Sequence, residues 1–200
     1  MPTKRHGGRW SPGRKACSET SVCAKVSPAS HRSASVSTPG CTTRSSDDLV
    51  GLARTFPDTQ IVLDHVGGPI GLGRYAGKRD EVFAEWSGRI RELAACPNVH
   101  VKLGGLGMRM FGFDLHTREL PPSSEELAAA WRPYIETCIA AFGPERAMFE
   151  SNFPVDKGSC SYAALWNAFK HIAAGCSAAE KAALFAGTAN RFYRLDTPGI

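Results

Sequence analysis

The sequence has no apolar run near the roughly 20 residues that a membrane-spanning helix needs. Its N-terminus also lacks the continuous apolar stretch of a secretory signal. These two absences predict a cytoplasmic chain with no membrane partner. None of the seven cysteines forms a Cys-x-x-Cys pair, and their number is odd. The cysteines therefore indicate a reducing compartment, where they serve as small apolar residues, and they do not indicate a zinc ribbon.

A nucleotide site and a nucleic-acid partner are also not indicated. No glycine-rich Gly-x-Gly-x-x-Gly follows a predicted strand, which argues against a dinucleotide-binding fold. The positive charge is concentrated at one end: residues 1–45 carry eight Lys or Arg and one acid, a net +7, whereas residues 46–200 carry a net −2. Because the body of the chain is mildly acidic, we expect no nucleic acid as a partner.

Residues 1–46 are rich in Ser, Thr, Arg, Pro and Gly, and their few apolar residues follow no period. Such a segment cannot bury enough surface to offset its ordering entropy, so we predict a disordered basic leader. Its Arg- and Ser-rich composition is also that of a transit peptide, although no amphipathic helix is present, and a basic arm for nucleic acid is a second alternative. We favour a solvated tail or an artefactual start of the reading frame.

From residue 47 to residue 200, short apolar runs alternate with amphipathic segments, as in a single folded domain. Strands are predicted at 60–65, 99–103 and 147–150, and helices at 48–54, 78–95, 124–142, 161–174 and 178–186. A Ser-x-x-Glu capping box opens the last of these helices. Strands and helices that alternate in this way form parallel β/α units, which predicts an α/β fold with both faces of the sheet covered.

Polar side chains follow the predicted strands at the points where they end. Asp64 and His65 end the first strand, Lys102 lies near the end of the second, and Glu150 begins the polar group after the third. Ligands of parallel β/α proteins bind at the carboxyl ends of the strands. The sequence therefore predicts one site that contains His65, Lys102, Glu150 and Asn152.

Each candidate also has a purely structural interpretation. His65 could bond only a neighbouring carbonyl, and Asp64 could be a turn residue or could orient His65. A buried, unpaired ammonium is costly, so Lys102 needs a ligand, a carboxylate or solvent, and Glu150 could be that carboxylate. His100 lies two residues before Lys102 and therefore on the same face of its strand.

Three segments in this order, IVLDHVG at 61–67, VKLGGL at 101–106 and MFESNFP at 148–154, resemble the amidohydrolase-related family. The resemblance covers about residues 47–195 and continues into GTANRFY at 187–193. It implies a (β/α)8 TIM-barrel hydrolase that cleaves lactone, ester or amide bonds of a small-molecule substrate. The family includes lactonases and a metal-dependent decarboxylase.

By this resemblance, His65 is a catalytic residue that binds a metal or the substrate, and Asn152 occupies a position where many members carry a catalytic Asp. Lys102 and Glu150 are then expected to bind the substrate. An amide cannot take the proton that a carboxylate base takes, but Asn152 can hydrogen-bond a substrate carbonyl or carboxylate. A divalent metal, zinc or manganese, is implied for intact relatives, and none is expected here.

The His-x-His that begins the family's barrels occurs nowhere in the chain. The three predicted strands match the last three of eight, and a full barrel takes about 250 residues. We therefore expect the C-terminal part of a barrel, truncated and with low or no activity on its own. The alternative is a non-enzymatic remnant or an interaction protein, including a homo-oligomer, that pairs through exposed sheet edges. A small doubly wound α/β domain is a third interpretation, which the absence of a phosphate loop weakens.

Overall fold

The computed structural model describes residues 23–26, 33–37 and 43–195. Five strands form one sheet in the order β1-β2-β3-β4-β5, in which β1 and β2 are antiparallel and the other neighbours are parallel. The strands are β1 (Cys23–Val26), β2 (Ser33–Ser37), β3 (Gln60–Leu63), β4 (Val99–Leu103) and β5 (Ala147–Phe149). The helices are α1 (Thr43–Thr55), α2 (Arg79–Ala94), α3 (Ser124–Phe142), α4 (Tyr162–Ile172), α5 (Ala178–Ala182) and α6 (Thr188–Tyr193).

The predicted parallel α/β arrangement is confirmed for the three strands that carry the site. Helices separate β3, β4 and β5 along the chain, and the three strands are parallel neighbours in the sheet. The bounds of β4 agree with the prediction, whereas β3 ends at Leu63 and β5 ends at Phe149, slightly earlier than predicted. Within the described residues the sheet is open, because β5 has a strand on one side only.

Parts of the segment 1–46 have regular structure, which corrects the prediction of disorder for those parts. β1 pairs with β2, and β2 pairs with β3 from Ser33 opposite Gln60 to Val36 opposite Leu63. The helix α1 begins at Thr43, before the predicted boundary. The segment Ser33–Ser37 alternates Ser with apolar residues, a short period of two that fits a strand added to the edge of β3. The rest of the predicted leader lies outside the described residues.

The ends of the helices follow local sequence signals. Ser123 accepts a hydrogen bond from the Glu126 N–H, and the Glu126 carboxylate accepts one from the Ser123 N–H, which forms a capping box before α3. After α3 the chain turns at Gly143, whose φ of 73° favours glycine. The predicted helix 178–186 consists of α5, which has its own capping box, and a π-helical turn at Ala183–Gly187. None of the described helices combines the length and the low polarity needed to cross a membrane.

One face of the sheet packs against the helices and forms the main core. Alternate β4 residues are buried on this face, and the residues between them, His100 and Lys102, point to the other face. The large core side chains are all almost inaccessible to solvent and include Trp86, Ile90, Leu127, Trp131 and Phe169. The apolar faces predicted for the helices therefore pack inward.

The opposite face of the sheet carries a second, smaller apolar cluster of Val62, Met148 and Phe192. Phe192 belongs to α6, so the last helix covers part of the face from which Lys102 projects. The His100 ring packs against the Phe192 ring, with the two centroids 4.9 Å apart. This face therefore has an apolar part under α6 and a polar rim where the parallel strands end.

Candidate active site

His65 follows β3 and is held by Glu150, which follows β5. His65 has a left-handed φ of 55°, which marks the turn after the strand. The Glu150 Oε1 atom accepts hydrogen bonds from the His65 backbone N–H at 3.0 Å and from His65 Nδ1 at 2.5 Å. Because Glu150 fixes Nδ1, Nε2 is the ring nitrogen left to take a proton. Burial lowers the pKa of His65, but the hydrogen bond and charge of Glu150 outweigh burial, and the pKa is raised.

Lys102, near the end of β4, lies between two carboxylates. Its Nζ atom is 2.9 Å from Asp64 Oδ1 and 3.8 Å from Glu150 Oε2. Burial lowers the pKa of the ammonium, whereas the hydrogen bond to Asp64 and the charge of Glu150 raise it by more, so Lys102 stays protonated. Of the three interpretations that the sequence left open for Lys102, the structure shows the carboxylate contact. The ends of three strands thus meet in one charged group, which we call the rim cluster: Asp64, His65, Lys102 and Glu150.

The chain after β4 approaches the rim cluster so closely that only glycine fits. A Cβ atom on Gly104 would lie 2.7 Å from Glu150 Cγ, and one on Gly105 would lie 2.6 Å from His65 Nδ1. Gly105 also has a φ of 74°, which other residues rarely adopt. The sequence shows these glycines only as the end of a strand. Their contacts with the rim cluster arise from the alignment of three strands and are not visible in the sequence.

Asn152 and Asp156 form a second network beside the rim cluster. Asn152 Nδ2 donates to Asp156 Oδ1 at 2.7 Å, and the Gly107 N–H donates to Asp156 Oδ2 at 3.1 Å. Asp156 is fully buried, and this burial raises its pKa to about 6. The charges of His65 and Glu150 also act on the Asp156 carboxyl, so the two networks are neighbours. The sequence offers Asp156, four residues after Asn152, as a further carboxylate, but nothing in the sequence shows that it reaches the site; the structure supplies its contact with Asn152.

The other described histidines lie in three different parts of the fold. His171 lies exposed on α4, and His116 lies in a short turn of the loop between β4 and α3. His100 shares the strand face of Lys102, as its spacing in the sequence predicts. Burial, together with the charges of two nearby arginines, lowers the pKa of His100 to about 4. This low pKa keeps the His100 ring neutral near pH 7.

The described residues contain no group of three His, Cys, Asp or Glu side chains arranged to hold a metal ion. In the rim cluster, Glu150 already contacts the His65 ring and Lys102, and Asp64 contacts Lys102. A cation bound to these carboxylates would have to displace an ammonium of the same sign of charge. These residues do not fit a metal centre by themselves, and we assign no step to a metal. His65 as a metal ligand stays a prediction.

Comparison with known proteins points to one family. A model described as amidohydrolase matches residues 4–195. The uncharacterised protein y4mH of Sinorhizobium fredii is 43% identical over 150 residues, which cover 74% of this chain and 43% of y4mH. An L-fucono-1,5-lactonase of Burkholderia multivorans is 34% identical over 166 residues, which cover 76% of this chain and 52% of the lactonase.

The fold is also similar to that of solved structures. An amidohydrolase from Burkholderia multivorans, crystallised with bound zinc, has a TM-score of 0.63 at 32% sequence identity. The similar region covers 76% of this chain and 50% of that amidohydrolase. The chain therefore spans about half the length of the relatives it matches.

Proposed function

Because the chain belongs to the amidohydrolase family, we propose that it hydrolyses a small-molecule lactone, ester or amide and that the rim cluster is its contribution to the active site. The observation that carries this proposal is the hydrogen bond between Glu150 and His65 Nδ1. A carboxylate that orients an imidazole at the carboxyl end of a parallel sheet is an arrangement suited to a general base. The similarity to an L-fucono-1,5-lactonase favours a lactone as the substrate.

In this mechanism, His65 Nε2 takes a proton from a water molecule as the water oxygen attacks the carbonyl carbon of the lactone. The bond between that carbon and the ring oxygen then breaks, and His65 returns the proton to the ring oxygen. The negative charge of Glu150 stabilises the imidazolium that exists between these two steps. One water is consumed and the product is a hydroxy acid, so no further reactant is needed.

Lys102 and Asn152 are assigned to the binding of the substrate. The ammonium of Lys102 stays protonated and can pair with an anionic group, such as the carboxylate of the product. Asn152 is assigned a hydrogen bond with the substrate or with the attacking water. Glu150 was expected to bind the substrate, but its contacts with His65 and Lys102 favour a role in orienting the base.

We propose that this chain alone has low activity, since it spans about half the length of its relatives. The open side of β5 also supports the alternative function, an interaction protein that pairs with another chain through its sheet edge. Size-exclusion chromatography with light scattering separates the two. A monomer at every concentration would argue against edge pairing, whereas a stable oligomer would favour it.

The proposed function is tested by calorimetry with L-fuconate, the hydroxy acid formed when L-fucono-1,5-lactone is hydrolysed. We expect saturable binding that weakens about tenfold in the Lys102→Met variant, because the carboxylate loses a charged partner. Lys170→Met, which removes an exposed lysine of α4, is the matched control and should bind like the wild type. Binding that Lys102→Met leaves unchanged would contradict the assigned role.

Hydrolysis of the lactone itself, followed with a pH indicator, tests the assignment of His65. The rate of the wild-type chain should be low but above that of buffer, and His65→Gln should lower the enzymatic part about 100-fold, since a general base is lost. His171→Gln, at an exposed position, should have no effect. Equal rates for the wild type and His65→Gln would show that His65 is not the base.

A further inference from the structure

The neighbours of Asn152 determine which way its carboxamide faces. Both oxygens of Asp156 accept hydrogen bonds, Oδ1 from Asn152 Nδ2 at 2.7 Å and Oδ2 from the Gly107 N–H at 3.1 Å. An ionised carboxylate has no hydrogen to donate, so Asn152 must turn its NH2 group toward Asp156. The Asn152 Oδ1 atom therefore points away from Asp156. Among the described residues, none donates a hydrogen bond to this oxygen.

Asp156 is held in place from several sides. Its backbone N–H donates to the Asn152 carbonyl at 3.2 Å, and its side chain is fully buried. The Ser159 hydroxyl donates to the Gly107 carbonyl at 2.6 Å, which holds the residue whose N–H binds Asp156 Oδ2. A Cβ atom on Gly107 would lie 2.8 Å from this oxygen, so the loop can approach Asp156 only as glycine. Because Asp156 is inaccessible to solvent, its hydrogen bonding can influence a ligand only through Asn152.

We propose, building on the proposed function, that Asp156 is a positioning residue that makes Asn152 present its carbonyl oxygen to the substrate. An amide oxygen accepts hydrogen bonds and donates none, so it pairs with hydroxyl groups and is repelled by carboxylate or carbonyl oxygens. The site therefore selects a polyhydroxy acid or its lactone over a substrate of the same charge without hydroxyl groups. This selectivity differs from the sequence-based expectation that Asn152 binds a carbonyl or carboxylate.

The variant Asp156→Asn tests this proposal, because it keeps the shape of the side chain and reverses the hydrogen bonding. The new amide at position 156 must turn its oxygen to the Gly107 N–H and its NH2 group to Asn152. Asn152 must then turn its own oxygen inward and its NH2 group outward, where it would donate. Asp80→Asn, at an exposed position in the first turn of α2, is the matched control.

The first measurement compares binding of L-fuconate with binding of hexanoate, a six-carbon carboxylate without hydroxyl groups. The wild type should prefer L-fuconate, and Asp156→Asn should lower this preference about fivefold, the value of one hydrogen bond. In an Asn152→Ala background, Asp156→Asn should change the preference no further, because Asp156 acts through Asn152. A purely structural role would weaken both acids equally, and that result would overturn the proposal.

The second measurement needs no ligand and follows the side-chain NH2 of Asn152 by NMR. In the wild type the Nδ2 hydrogen that bonds Asp156 should exchange with solvent at least about tenfold more slowly than the side-chain hydrogens of Asn167, which lies exposed on α4, because a buried carboxylate holds it. Asp156→Asn should remove this difference. Exchange as fast as that of Asn167 in the wild type would overturn the positioning role. If neither acid binds, the proposed function fails and the selectivity fails with it, while the exchange rates still decide the orientation of Asn152.

Discussion

At the scale of single residues, the rim cluster depends on one carboxylate that contacts residues from two other strands. Glu150 follows β5, yet its Oε1 accepts from the backbone and ring of His65 after β3, and its Oε2 lies 3.8 Å from Lys102 of β4. A buried charge without partners is strongly unfavourable, so His65, Lys102 and Glu150 each need the others. The same contacts that hold the fold together at this point also set the protonation of the proposed base.

His100 should make the stability of the protein depend on pH. Burial lowers its folded-state pKa to about 4, below the ordinary 6.5, so the unfolded chain binds the proton more readily. Its contribution to stability is fully present above pH 6.5 and is lost as the pH falls toward 4. We expect the free energy of unfolding of the wild type to lose about 2 kcal/mol relative to His100→Leu between pH 7 and pH 4.5.

Urea unfolding at several pH values measures this difference. Asp156, whose pKa is raised by burial to about 6, acts with the opposite sign, since its protonated form is favoured in the folded protein. Its contribution is common to both proteins and cancels when His100→Leu is compared with the wild type. A constant difference between His100→Leu and the wild type at all pH values would show that His100 titrates normally.

At the scale of elements, the segment from Gly104 to Gly107 fixes how closely β4 approaches the site. Gly105→Ala would place a methyl group 2.6 Å from His65 Nδ1 at a left-handed φ of 74°. We expect this substitution to lower the free energy of unfolding by about 2 kcal/mol or more and to weaken L-fuconate binding. Gly88→Ala is the matched control, because Gly88 lies in the middle of α2 with nothing within 4 Å of the added Cβ. Gly88→Ala should stabilise the protein by about 0.5–1 kcal/mol. An equal loss of stability in both variants would show that the close approach of Gly105 to His65 is not the cause.

The elements that the sequence predicts well are those whose side chains carry a clear pattern. The strand β4 alternates buried and partly exposed residues over Val99–Leu103, and α3 lies between a capping box and Gly143. The strands β1 and β2 join the sheet through their backbones, and only β2 carries an alternation, Ser-Ala-Ser-Val-Ser, which is short and built from small residues in a Ser-rich segment. Their absence from the prediction has this physical cause.

For the candidate site, the sequence predicts where the residues lie but not which residues contact each other. Parallel strands end at one edge, so the sequence could bring His65, Lys102 and Glu150 to one rim. It could not assign partners, because Glu150 lies 85 residues from His65 in the chain and meets it only after the strands align. The sequence offers Asp156 only by its spacing from Asn152 and cannot place it at the site, because its complete burial depends on the loop that contains Gly107.

At the scale of the whole molecule, the described part of the chain is a sheet that is parallel except between β1 and β2, with helices packed against it, the rim cluster at the strand ends and an open edge at β5. The chain spans about half the length of its amidohydrolase relatives, and the rim cluster comes entirely from strands within that half. The proposed function therefore requires this half to form the rim cluster by itself. Only a folded chain brings the ends of β3, β4 and β5 together. A pKa shift caused by this convergence must therefore disappear on unfolding.

The raised pKa of His65 is such a shift, and NMR titration of the histidine ring protons measures it directly in solution. His65→Gln identifies the signal among the six histidines. We expect the pKa of His65 to lie above 6.5 in the folded chain, Glu150→Gln to lower it, and urea to return it to the ordinary range. A folded chain in which His65 titrates at or below 6.5, unchanged by Glu150→Gln, would contradict the convergence of the three strand ends and the function proposed from it.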